Sequence, residues 1–218
     1  MQQFDDGYQY RQRLLLHPGE REEVDYKAAI AFDPKSDFGL NLFRHLQGMA
    51  NTGGGTIVIG YRQPSRELPS PDPGMTTSIA ASYEPTILLQ AVNSTVFRGQ
   101  ALELKVYVEP HPESQVLYPL ITVHGHRGTP IVCRSTLPDG ARKPILRAGA
   151  VYVRRPGAET TEASKPEDYE GLIRRAQQAI REDFLHQLRE LVGAPPLSSP
   201  SQRLADHQRA ARSAAYGE

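Results

Sequence analysis

The stretch Met49-Ala-Asn-Thr-Gly-Gly-Gly-Thr-Ile-Val-Ile-Gly-Tyr61 most constrains what this chain can become. Leu42, Phe43, Leu46, Met49 and Ala50 recur at three- and four-residue spacing, which gathers them on one helix face. That helix ends at Gly53, Gly54 and Gly55, because glycine enters φ > 0 without a Cβ clash and so supplies caps and turns. Thr56 to Ile59 is β-branched throughout and bounded by glycine, which predicts a strand buried on both faces.

The same glycines raise the question of a phosphate cradle, since exposed N–H groups at a turn hold anions. The order argues against it. A phosphate loop runs from strand to helix and carries Gly-Lys-Ser/Thr, whereas here a helix runs into a strand and no such lysine follows. Gly53, Gly54 and Gly55 are therefore expected to be a structural corner, with Asn51 tying down backbone groups.

Around this corner the chain offers further elements. Leu14-Leu15-Leu16 before Pro18 predicts a short docking helix. Val24, Tyr26 and Ala28 alternate with Asp25 and Lys27, the period of a half-exposed strand. Asp37 is a candidate N-cap for the helix leading to Met49. Gln63 to Thr77 holds four prolines and predicts a surface loop. A helix opens near Pro85, Leu102 to Val108 alternates as an amphipathic strand, and short strands are expected at 120–123, 130–133 and around 151–153. Ser164 and Glu167 have capping-box spacing before a helix whose stripe is Ile173, Ala176, Ile180, Phe184, Leu188 and Leu191. Packing of that stripe on the sheet is the default expectation; bridging to a second subunit or a protein partner is the alternative. Together these elements predict an α+β (mixed α/β) fold, one layer of mixed sheet packed by helices. Its boundaries are expected at residues 14–192, with 193–218 a flexible tail.

Composition limits partners only weakly. Twenty-five basic residues balance 25 acidic ones, so no global attraction to nucleic acid or membrane follows. Cys133 is the one cysteine and lies beside Ile131 and Val132, as a buried hydrophobe would. The first twenty residues lack a signal-like apolar run, and no window reaches the ~18 apolar residues of a membrane span. A cytoplasmic protein without a membrane partner is expected.

Three separated motifs then read together: Glu20-x4-Asp25-Tyr26-Lys27, Ala50-Asn51-Thr52-x-Gly54-Gly55, and Val151-Tyr-Val-Arg154-Arg155-Pro-Gly-Ala-Glu-Thr160. In that order and spacing they resemble the Schlafen-type, AlbA-like DNA-binding domain of bacterial proteins, over about residues 15 to 175. The resemblance implies a mixed-sheet module that binds nucleic acid, RNA or DNA. It also implies, from the Schlafen branch, a metal-dependent endoribonuclease as the alternative, with Glu20 and Asp25 as its first two acids and Mg²⁺ or Mn²⁺ as its ion. The family's third acid falls just past the glycine strand, where this chain has Tyr61, Arg62 and Gln63. That departure favours binding without catalysis, with no cofactor and no metal.

The residues offer a binding surface of their own. Between 127 and 155 stand seven basic residues, Arg127, Arg134, Arg142, Lys143, Arg147, Arg154 and Arg155, against one acid, Asp139. Such an excess suits phosphate contact, where arginine's fork grips bidentately and counterions are released. Lys27 joins this set as a candidate. The plainer alternative for Glu20, Glu22, Glu23 and Asp25 is a solvated strand edge, with Lys27 pairing a neighbouring acid at little gain. His124-Gly-His126 is read as a turn, because no third ligand lies near in sequence.

Overall fold

A computed structural model describes residues 6–63, 68–96, 100–126, 128–138 and 143–191. Within them the chain is α+β. α1 (Asp6–Leu16) precedes β1 (Val24–Lys27), α2 (Asp37–Thr52), β2 (Gly54–Ile59), β3 (Tyr61–Arg62) and β4 (Ser70–Pro71). α3 (Thr77–Ser82), α4 (Pro85–Ser94), β5 (Leu104–Pro110), β6 (Leu117–His124), β7 (Leu137–Pro138) and β8 (Pro144–Leu146) follow. β9 (Tyr152–Arg155), β10 (Glu159–Glu162) and α5 (Pro166–Leu191) complete it. The central sheet has the order β1-β2-β6-β5; β1 runs parallel to β2, and the other neighbours are antiparallel. The remaining strands form two-stranded ribbons, β3 with β4, β7 with β8 and β9 with β10.

Both faces of the sheet are covered, which is why β2 is apolar at successive positions. Ile57 and Ile59 pack with Leu42, Phe43, Leu46 and Met49 of α2 and with Leu88 and Val92 of α4. Val58 turns the other way, to Leu15 of α1, Tyr26, Tyr61 and Tyr118. Tyr61 and Tyr26 anchor α1 further by donating to the carbonyls of Leu15 and Leu14 at 2.7 and 2.9 Å. Gly53 ends α2 in the left-handed region at φ 116°, its N–H returning to the Met49 carbonyl.

Several local expectations change. The N-cap of α2 is Ser36, whose hydroxyl accepts from the Gly39 N–H at 3.1 Å; Asp37 is the first helical residue. Residues 130–133 form no strand. Val96 and Cys133 make an isolated bridge, and the Gln100 side chain accepts from the Val132 N–H, so side chains replace a ladder. At α5, Asp168 takes the Ser164 and Lys165 N–H groups at 3.0 Å, the back-reaching part expected of Glu167. α5 also buries less than its stripe implies: Leu172 enters a small cluster with Val153 and Ala163, whereas Ile173 is 57% exposed. The chain divides into two compact units at Gln177 and Gln178, inside α5, and the first includes α1, ahead of residue 14. Within the second, Gln178 donates to Glu182 at 2.9 Å. The expected tail at 193–218 lies outside the described residues.

Candidate functional site

Asp25 is the centre of a buried cluster of charged side chains. β1 carries it between Val24 and Tyr26, and parallel pairing sets it opposite Ile57 of β2. The expected half-exposed alternation fails here, because Val24, Asp25 and Tyr26 are all buried. What covers Asp25 comes from α2 and from the β9–β10 ribbon. Arg154 Nη1 lies 3.3 Å from Asp25 Oδ2, Lys27 Nζ lies 2.9 and 3.1 Å from its two oxygens, and His45 Nδ1 lies 3.3 Å away. The Arg154 side chain is fully buried and also donates to the Val24 carbonyl at 3.4 Å.

The glycine corner explains how a ribbon from the far end of the chain reaches this place. Asn51 donates to the carbonyls of Ile131 and Tyr152, both at 2.9 Å, and accepts from the Ile131 N–H at 2.7 Å. One residue on, the Thr52 hydroxyl accepts from the Arg154 N–H at 2.9 Å. Gly48 leaves room for the ribbon: a Cβ there would meet the Thr160 methyl at 2.6 Å. Asn51 and Thr52 thus clamp β9 to the end of α2, and β9 delivers Arg154 to Asp25. The three separated sequence motifs converge on one carboxylate.

Electrostatics follow from the burial. Desolvation alone raises the Asp25 carboxyl, but the Lys27 ammonium and the Arg154 guanidinium outweigh it and hold the group below the usual carboxylate range. His45 is pushed down to about 3 by burial and by the same cations, so it is neutral at physiological pH. Its Nδ1 is shared among the Thr160 hydroxyl at 3.0 Å, Asp25, and Arg154 Nη1 at 3.4 Å. Glu20, half-buried beside Asp25, is raised by desolvation and by that neighbouring carboxylate. Turned to suit its surroundings, the Gln63 amide donates to both Glu20 oxygens at 2.8 and 3.1 Å.

This donor set does not fit a divalent cation. Both Asp25 oxygens already face cationic donors, Glu20 faces an amide and a second carboxylate, and Gln63 brings no charge. Among the described residues no group of three or more His, Cys, Asp or Glu is arranged to hold a metal ion. The solvated-edge expectation is also corrected for Asp25, while Glu22 and Glu23 are exposed.

The seven cations of the 127–155 run separate into distinct fates. Arg154 is interior and has no access to a phosphate. Arg155 binds Asp168 in a fork, at 3.3 and 2.7 Å, and holds that carboxyl down to about 2. Arg147 is exposed and ion-paired with Glu162. Arg134 and Lys143 are exposed on the segment that carries β7 and β8. Arg127 and Arg142 lie outside the described residues. Lys27 points its ammonium at Asp25, its side chain 25% exposed.

Sequence reasoning did not single out His45 or assign a role to Thr160. A signal exists for the first: His45, Gly48 and Thr52 share a polar and small stripe beside the apolar face of α2, at the spacing of a helix surface that receives another element. His124 is exposed, and His126 buries both ring nitrogens without a partner among the described residues. Cys133 is buried and its Sγ donates to the Ser135 carbonyl at 3.4 Å.

No family model and no curated protein matches the chain. Among solved structures it is similar to the DIP2311 protein from Corynebacterium diphtheriae, with a TM-score of 0.45 and 15% identity over 79% of this chain. The match spans 29% of that longer chain, and at such distance it carries no functional conclusion. No helix among the described residues is long and apolar enough to cross a membrane.

Proposed function

We propose that the chain is a Schlafen-type, AlbA-like module that binds nucleic acid in the cytoplasm without performing chemistry on it. The observation that carries this reading is the state of Asp25. Its oxygens are taken up by Lys27, Arg154 and His45, so this carboxylate acts as an internal clamp on the β9–β10 ribbon. Removing a partner from such a buried cluster strands a charge, which makes it a structural asset rather than an open ligand set. The phosphate-binding role then falls to Arg134, Lys143 and Arg147, all exposed between 134 and 147. Cations placed this way contact the backbone and bind with a salt dependence set by the number of phosphates neutralised.

A second reading, a metal-dependent endoribonuclease, rests on the adjacency of Glu20 and Asp25 and requires Lys27 and Gln63 to yield their carboxylate oxygens to an ion. One experiment separates the two. The purified chain is titrated against short labelled RNA and DNA across a salt series by fluorescence anisotropy, and the same mixtures are run on denaturing gels with Mn²⁺. The proposal expects binding that weakens linearly in log salt, with intact nucleic acid. No binding at low salt defeats it, and Mn²⁺-dependent cleavage that Asp25→Asn abolishes transfers the function to the nuclease.

A further inference from the structure

The two edges of the central sheet are unlike. β1 is four residues long, and Arg154 reaches over to its Val24 carbonyl. β5 is seven residues long, and among the described residues no strand pairs with its outer side. The ladder to β6 shows which groups face outward. His124 N–H donates to the Glu103 carbonyl and His111 N–H to that of Val116, so odd-numbered residues of this segment pair inward. Leu104, Val106 and Val108 therefore point their N–H and C=O groups away from the sheet, and none has a partner among the described residues. Unpaired strand edges of this length are templates for another strand.

The open window has closed ends. At one end the Leu102 N–H is taken by Asn93 Oδ1 at 2.8 Å. At the other, Pro110 has no N–H, and its carbonyl lies 3.5 Å from the Gln12 amide. What remains is symmetric about Val106, and a strand that presents such a window complements a second copy of itself. Antiparallel pairing places Val106 opposite Val106 of the second copy and Leu104 opposite its Val108, each pair exchanging both N–H···O bonds.

The side chains agree with that register. Beside the edge runs an apolar groove of ≈ 370 Å³, lined by Pro85, Leu89, Leu104 and Val106. Val108 is 45% exposed, and Leu89, 37% exposed, lines the groove beside Leu104, where the second copy's Val108 would sit. On the opposite face Lys105 would lie against the second copy's Tyr107, and Glu103 near its Arg11–Glu109 ion pair, so two cations meet two carboxylates.

We infer that β5 is a homodimerisation edge: two copies join Leu104–Val108 antiparallel about Val106 and continue the four-stranded sheet across a twofold axis. The inference stands whether or not nucleic acid binds.

The test is amide hydrogen exchange on the intact chain at low and high protein concentration, alongside mass by sedimentation. A dimer at high concentration is expected. The amides of Leu104, Val106 and Val108 should gain protection with concentration, while those of Lys105 and Tyr107 stay protected throughout. Val108→Lys, at an exposed position, should return the mass to monomer without changing the circular dichroism spectrum. A monomer at all concentrations overturns the proposal. So does a dimer in which the three amides exchange freely. If Val108→Lys perturbs the fold, spin labels on Lys105→Cys decide the matter. The two labels stand within about 10 Å in the proposed register and broaden the spectrum, and unbroadened spectra of a dimer reject it.

Discussion

The cluster around Asp25 and the segment from 134 to 147 are built from the same kinds of charge, and they do opposite things. Arg154 and Arg147 are both ion-paired, yet the first is completely buried and the second has a side chain 60% exposed. Burial turns a guanidinium into part of the frame, because its desolvation is offset only while every partner stays in place. Exposure leaves the charge cheap to hold and free to exchange one anion for another. A run of arginines in sequence is therefore not a surface until the fold has sorted it.

The largest expected effect tests the buried side of that contrast. Asp25→Ala leaves Arg154 and Lys27 without their carboxylate and should cost about 3–5 kcal/mol in urea unfolding. Asn51→Ala comes next. It strands two carbonyls and an N–H in the interior, and at about 1–3 kcal/mol for each unsatisfied group that relaxation cannot rescue, roughly 3 kcal/mol is expected.

Acid should expose the same cluster. The folded His45 titrates near 3, below its unfolded value of 6.5, so its contribution to stability is complete above about pH 6.5 and drains away as pH falls toward 3. Asp25, also depressed when folded, adds a loss below about pH 4. Glu20 opposes both: raised when folded, it stabilises below about pH 4.3 and loses that contribution as pH rises. Unfolding midpoints measured from pH 7 to 4 should decline, and His45→Asn should flatten that limb. An unchanged slope in the variant would place the titration elsewhere.

The exposed side predicts small stability changes. Glu162→Gln frees Arg147 and should alter stability by no more than about 1 kcal/mol, while tightening nucleic-acid binding slightly. A loss of binding in that variant would remove Arg147 from the proposed surface.

How much of this was visible in the sequence depends on the range of the causes. α2, its glycine end and β2 were legible because periodicity, β-branching and positive φ are local properties. The alternation of β5 was equally plain, though its boundary falls two residues later than expected. Asp25 was not legible as a buried group, since the arginine that holds it lies 129 residues away. The apolar run 130–133 imitates a strand, but Asn51 and Gln100 satisfy its backbone from the side. Arg134, Lys143 and Arg147 could be named from composition; that Arg154 and Arg155 are spoken for required the positions of Asp25 and Asp168.

The most direct test of this division is the salt dependence of nucleic-acid affinity for the native chain and for Arg134→Ala/Lys143→Ala/Arg147→Ala. The account predicts a folded variant that binds more weakly, with a log–log salt slope shallower by about one per cation removed. A variant that binds with the native affinity and slope would contradict it.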